Sequence, residues 1–258
     1  MIDQLNLHEA CRLIGIQLGI DGEQVYQYAI EDREGGYSAN PAESTWPMGS
    51  LWKPEGQILY ALIRYFDVKT AVEIGAFHGC SAAHIAGALN VTNGTLHSVD
   101  VAHQRVNSNP RVKQITSDGV AWLAKQPDNS LDLIFEDADH STETSAAIAT
   151  LAMQKLKPGG LHLAHDAAHN RAIIGGGQVI PSDVGRAICA GLAQAFGNKF
   201  RVYLIEPSDC GFSLWQRPAD VKSLAEAADA QFEAAAPALL KVVVETKPAR
   251  KRTPRKGK

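Results

Sequence analysis

At 258 residues, with 45% hydrophobic and 21% charged side chains, the chain is long enough for one large domain with a full core, and its composition excludes a disordered or fibrous protein. It contains no run of about 18 apolar residues, and its opening MIDQLNLHEACRLIG carries acids and reads as an amphipathic helix, not a secretory signal; a cytoplasmic location without a membrane partner is expected. The formal net charge of −3 conceals a basic end: KPARKRTPRKGK holds seven Lys or Arg and no acid, so the body is more acidic than the total and is not shaped by charge to hold nucleic acid.

A helical region over 4–32 is expected first, followed by the irregular stretch GGYSANPAESTWPMGSLWKPEG. From there helices and strands alternate: a helix over 57–66, a strand over 70–74, a helix over 81–89, and strands over 95–100 and 112–116. A helix over 119–125, a strand over 131–135, a helix over 142–155 and a strand over 160–165 continue the rhythm. Strands separated by helices imply right-handed crossovers, so the fold class is α/β with a mostly parallel sheet covered on both faces. The last two strands, 200–205 and 212–216, are joined only by a short EPSDCG link, which suits an antiparallel pair and cannot hold a crossover helix. After Pro218 an Ala-, Glu- and Leu-rich helix is expected to about 241, and the basic run beyond it has too few apolar residues to order itself. The expected organisation is an N-terminal helix and lid segment (1–50), a main domain (51–217), a C-terminal helix (218–241) and a basic tail (242–258). Cys11, Cys80, Cys189 and Cys210 stand singly, with no C-x-x-C pair for zinc and no dense disulfide framework, and are read as reduced.

The first stretch with chemistry in it is VEIGAFHGCS, Val72 to Ser81, where a strand runs into an acid and two glycines four residues apart before a small-residue helix. Parallel sheets bind ligands beyond the carboxyl ends of their strands, and glycine lets a ligand approach the main chain beside the free N–H groups of a helix start. The spacing is neither that of a dinucleotide loop nor that of a phosphate loop, and the charge of Glu73 would repel a pyrophosphate. A cationic ligand is better served. The bland alternatives are that Gly75 and Gly79 are turn glycines and that Asp100 and Asp118 cap helices.

KTAVEIGAFHGCSAAHIAGAL, with Asp100 closing LHSVD and Asp118 in TSDGVAWL, resembles the first motifs of the class I S-adenosylmethionine-dependent methyltransferases. That family's Rossmann-like sheet has seven strands with an antiparallel last strand, and the resemblance spans about residues 50–217. It implies a cofactor site of Glu73, Gly75, Ala76, Gly79 and Ser81, with Asp100 and Val101 at the ribose, Asp118 and Gly119 near the adenine, and Asp137 near the methyl.

LDLIFEDADHSTET and GLHLAHD look like the O-methyltransferase branch that includes the catechol and caffeoyl-CoA enzymes and bacterial small-molecule relatives. By that resemblance Asp137 and Asp166 match two metal-binding aspartates, and His140 stands where the branch usually carries a lysine base. The usual asparagine after the second aspartate is Ala167 here, so His169 or Asp139 would have to supply a third ligand for Mg or Mn. Asp139 also reads as a cap for the helix that follows, His162 as a packed or surface residue, and His165 as either a ligand or an orienting group. Two segments are positioned to shape the acceptor site, IIGGGQVIPSDVG, read as a flexible cover, and YSANPAESTWPMGSLW. In the second, Trp46, Met48 and Trp52 serve either as stacking surfaces or as anchors. The resulting expectation is O-methylation of a small hydroxylated substrate, with a carboxylate-held divalent metal, a histidine base or both. Set against it are methylation of nitrogen or of a macromolecule recruited by the basic tail, the one route by which nucleic acid enters, and a binding module without catalysis. Self-association is left open.

Overall fold

The computed structural model describes residues 6–36, 42, 44–167, 171–174, 178–181, 184, 187–188, 203–205 and 211–218. Five parallel strands form most of the sheet: β1 (Thr70–Ile74), β2 (Thr95–Asp100), β3 (Val112–Thr116), β4 (Leu131–Glu136) and β5 (Leu156–His165). Between β5 and the last two strands lies a separate hairpin of β6 (Arg171–Ile174) and β7 (Gln178–Pro181). β8 (Tyr203–Ile205) and β9 (Phe212–Gln216) complete a seven-stranded sheet in the order β3-β2-β1-β4-β5-β9-β8, with β9 antiparallel to both neighbours. β2 and β4 flank β1 on opposite sides, so strand order reverses at β1 and opens a crevice at the carboxyl ends of β1 and β4.

Three helices lead into β1. Where one helical region was expected there are two, α1 (Leu7–Leu18) and α2 (Gly22–Glu31): Gly19 turns the chain at the end of α1, and the Asp21 carboxylate caps α2 by accepting from the Glu23 and Gln24 N–H groups. α3 (Lys53–Tyr65) starts four residues earlier than expected, because Pro54 fits a first helical turn and Glu55 accepts the Trp52 N–H. The crossovers are α4 (Cys80–Thr92) after β1, α5 (Gly119–Ala124) after β3 and α6 (Thr142–Lys155) after β4.

Alternation along the strands divides the core in two. Ala71, Leu133, Phe135, Leu161 and Leu163 pack with Ile14, Ile58, Leu62 and Leu89 from α1, α3 and α4. Val72, Ile74, Ile134, Ala164 and Trp215 pack against Ile148, Ala152 and Met153 of α6. At roughly 1.5–3 kcal/mol for each fully buried aliphatic side chain, these two layers are what hold the strand ends, and hence the crevice, in place.

The structure corrects two further expectations. β5 begins at Leu156, not at Gly160, since Leu156 pairs with Leu131 across a register irregularity and the Pro-Gly-Gly stretch lies inside the strand. The glycine-rich segment read as a flexible cover contains paired strands, Arg171 opposite Pro181 through Ile174 opposite Gln178, because apolar and β-branched residues flank the glycines on both sides. The expected C-terminal helix and the basic tail lie outside the described residues, and among those described no helix is long and apolar enough to cross a membrane.

Candidate active site

The two glycines of the β1 turn are bare for different reasons. Gly75 has φ 89°, and a Cβ there would lie 2.0 Å from the Asp137 carbonyl oxygen, so the end of β4 presses against the turn. That contact is fixed by two main-chain bonds, Gly75 N–H to the Val99 carbonyl at 2.9 Å and Asp137 N–H to the Ile74 carbonyl at 2.8 Å. Gly79, with φ 86°, precedes α4, and a Cβ on it would meet nothing within 4 Å. The turn is thus open beside Gly79 and closed by the end of β4 at Gly75.

Glu73 is fully buried. The Ser98 hydroxyl donates to one carboxylate oxygen at 2.6 Å and the Ser81 hydroxyl donates to the other. Burial pushes its pKa up to about 7, against the pull of these two hydroxyls and with the charges of Asp137 and Asp100 adding to the rise. No Lys, Arg or His pairs with it among the described residues. Asp100 holds the turn itself: one oxygen accepts the Ala76 and Phe77 N–H groups at 2.7 and 3.1 Å, and the other accepts the Ala102 N–H at 2.9 Å. Ala76 is buried beneath, and Val101 next to Asp100 is 71% exposed.

Asp118 behaves as the helix cap that its setting in SDG suggested, accepting the Ala121 N–H at 2.7 Å, and it is exposed. Gly119 lets α5 close on β1, since a Cβ there would come 2.2 Å from a methyl carbon of Ile74. Trp46 packs against the core beneath the Arg105 guanidinium, 5.6 Å from the ring centre, and the Trp52 N–H bonds Glu55; both rings sit in a segment anchored to the body. Met48 is exposed.

The second half of the site gathers at the ends of β4 and β5. Asp137, His140 and Asp166 each present a ligand atom, and these atoms all lie within 4.8 Å of one another. His140 Nε2 is 3.5 Å from Asp166 Oδ2, and both side chains are nearly enclosed. His140 and Asp166 also carry left-handed backbone, φ 58° and 54°, an unfavourable conformation for residues with a side chain and one that tends to collect at functional sites. Of the two third ligands weighed from the sequence, His169 lies outside the described residues, and Asp139 is engaged with the Ser141 N–H and the Thr144 hydroxyl at the start of α6. The residue brought beside the two aspartates is His140.

Sequence reasoning missed Glu55. This carboxylate, 0% exposed, accepts the Gly211 N–H at 3.0 Å and the Trp52 N–H at 3.1 Å and lies 3.0 Å from His165 Nε2. The other ring nitrogen of His165 is 3.3 Å from Asp137 Oδ1 and 3.5 Å from Asp166 Oδ2. Burial opposes charge on this imidazole, but Asp166, Asp137 and Glu55 overcome that and hold its pKa well above the usual histidine range. It stands between the two aspartates and Glu55, on the core side of the cluster. The one available signal for Glu55, an acid in the first turn of α3 after a proline, marks a helix start and says nothing of a partner 110 residues away. Cys11 and Cys80 are buried free thiols whose pKa burial raises, in keeping with a packing role.

Residues 72–167 match the family described as a methyltransferase domain. Among solved structures, the chain resembles the S-adenosylhomocysteine-bound Podospora anserina methyltransferase PaMTH1 at 18% identity and TM-score 0.51, over 77% of this chain and 95% of that one. It also matches an O-methyltransferase from Bacillus cereus in complex with S-adenosylhomocysteine, at 18% identity and TM-score 0.48, over 76% of this chain and 89% of that one. No curated protein matches the sequence.

Proposed function

We propose that this chain is a class I S-adenosylmethionine-dependent methyltransferase and methylates an oxygen of a small hydroxylated substrate at the centre formed by Asp137, His140 and Asp166. The observation that supports this reading most is the convergence of those three side chains from the ends of β4 and β5 and the loop before α6, where Asp137 packs on the β1 turn at Gly75. An acid-rich crevice suits a cationic methyl donor. Glu73 lies beneath the turn without a positive partner among the described residues, Asp100 reaches the turn from β2, and the first N–H groups of α4 offer donors for a carboxylate. In the transfer the C–S bond of the sulfonium breaks as an O–CH3 bond forms, the sulfur becomes a neutral thioether, and the hydroxyl proton passes to a base.

Two carboxylates and an imidazole, Asp137, Asp166 and His140, would fit a divalent cation, with the imidazole favouring Mn over Mg. Such an ion supplies Lewis-acid polarisation that lowers the pKa of a hydroxyl bound to it. His165, tied to Glu55, keeps the Asp137 carboxylate directed into the crevice, and the close packing of Asp137 on Gly75 sets how far the methyl and its acceptor lie apart. A second reading is favoured by the contact of His140 with Asp166: the aspartate orients the imidazole as the general base, with no ligand role for His140.

The test is turnover of methyl-labelled S-adenosylmethionine with a panel of phenolic and sugar hydroxyls, in chelator and after restoring Mn2+ or Mg2+. The metal reading expects activity that is lost in chelator and restored by the ion, and a loss of about 100-fold or more in Asp137→Asn with S-adenosylhomocysteine affinity kept within about threefold. Chelator-insensitive turnover transfers the role to His140 as base. Products methylated only on nitrogen, stimulation by RNA, or cofactor binding with no turnover on any acceptor would replace the O-methylation reading.

A further inference from the structure

On the face of the sheet away from His165, a second polar string crosses β9, β5 and β4. The Trp215 indole N–H on β9 donates to His162 Nδ1 on β5 at 2.7 Å, and His162 Nε2 lies 3.3 Å from Glu136 Oε2 on β4. Trp215 and His162 are 0% exposed and Glu136 is 2% exposed. An indole N–H can only donate, so Nδ1 must accept and the ring proton sits on Nε2, facing the Glu136 carboxylate. Neither His162 Nε2 nor Glu136 Oε2 makes a hydrogen bond among the described residues, so the only polar atom each is shown facing is the other, across 3.3 Å. Glu136 is joined by a peptide bond to Asp137, whose N–H bonds Ile74 and whose carbonyl presses on Gly75.

We propose that His162 is a positioning residue: fixed by Trp215, it holds the Glu136 side chain, and so the peptide that presents Asp137 to both the β1 turn and the acceptor site. The inference rests on the reading of Asp137 as an active-site carboxylate, but its first readout does not need a metal or a substrate. If His162 only filled space, an apolar residue of similar size should serve as well or better in so dry a setting. If it positions Glu136, a side chain that keeps a donor should serve and an apolar one should not.

The experiment compares His162→Leu and His162→Gln in the full chain by residue-resolved amide hydrogen exchange. In His162→Leu the Asp137 amide is expected to exchange about 10- to 100-fold faster, the range for leaving one buried polar group without the group it faces, while Val99 and Asp100 on β2 change by less than about threefold; His162→Gln should stay within about threefold of wild type throughout. Mn2+ affinity in the S-adenosylhomocysteine complex should fall about 10-fold or more in the leucine variant alone. Wild-type exchange at Asp137 in His162→Leu, or faster exchange spread evenly over the sheet, overturns the proposal. Should that variant fail to fold, Trp215→Phe removes the donor that fixes the ring and should give the same local effect, with some Nδ1–H tautomer in the histidine 15N spectrum. An Nδ1–H tautomer in the wild type overturns the inference outright. A wild type that binds no Mn2+ defeats only the metal reading.

Discussion

Replacing Glu73 by Gln tests how the cofactor turn is balanced electrostatically. Burial lifts this carboxyl from an ordinary 4.5 to about 7, so between those values the folded protein keeps a proton that the unfolded chain has already released. The folded state then binds more protons than the unfolded one, and stability falls as pH rises. The favourable balance is fully present below about 4.5 and is lost once pH passes about 7. At about 1.4 kcal/mol per pKa unit the loss amounts to about 3 kcal/mol. A glutamine carries no charge to bury, and the Ser81 and Ser98 hydroxyls can each donate to it or accept from it. Urea and thermal unfolding of both proteins without cofactor, from pH 5 to pH 8, should show Glu73→Gln gaining on wild type by about 3 kcal/mol across that range, or roughly 6–12 °C in Tm at the upper end. Curves that run parallel at every pH would refute the reasoning, because they would mean that no buried proton is released.

The two glycines should separate on substitution. Gly75→Ala forces a methyl onto the Asp137 carbonyl and should cost about 3 kcal/mol or more together with loss of S-adenosylhomocysteine binding, whereas Gly79→Ala meets open space and should cost only the left-handed strain, about 1–2 kcal/mol, on denaturant unfolding. Asp100→Ala strips the acceptor from the Ala76, Phe77 and Ala102 N–H groups, so calorimetry should find S-adenosylhomocysteine affinity reduced about 100-fold, with a stability loss of about 1–3 kcal/mol.

Parts of the site that depend on neighbouring residues are legible in the sequence. Glu73 through Gly79 read as a strand end, a turn and a helix start because a β period, two glycines and a small-residue helix follow one another within ten positions. Asp137 and Asp166 were legible as acids ending apolar strands; Asp118, placed near the adenine by the family resemblance, caps α5 as the alternative reading had it. Where partners lie far apart in the chain, the same reasoning failed. Nothing near Glu55 points to Gly211, 156 residues away, nor does His162 announce Trp215, 53 residues away. The close approach that Gly75 permits was hidden for the same reason, since the atom it makes room for belongs to Asp137.

Local pattern by itself determined the α/β alternation, the antiparallel final pair and the acids that close the strands, since each is set by backbone geometry and burial acting within a few residues. Tertiary structure alone decided which acids meet. The sheet order β1-β4-β5-β9 carries Asp137, His165, Asp166 and Gly211 to one end, and α3 folds back to set Glu55 among them. Strand register turns His165 toward that cluster and leaves His162 on the opposite face, a choice that follows from side chains alternating across a sheet once β5 is paired with β4 and β9.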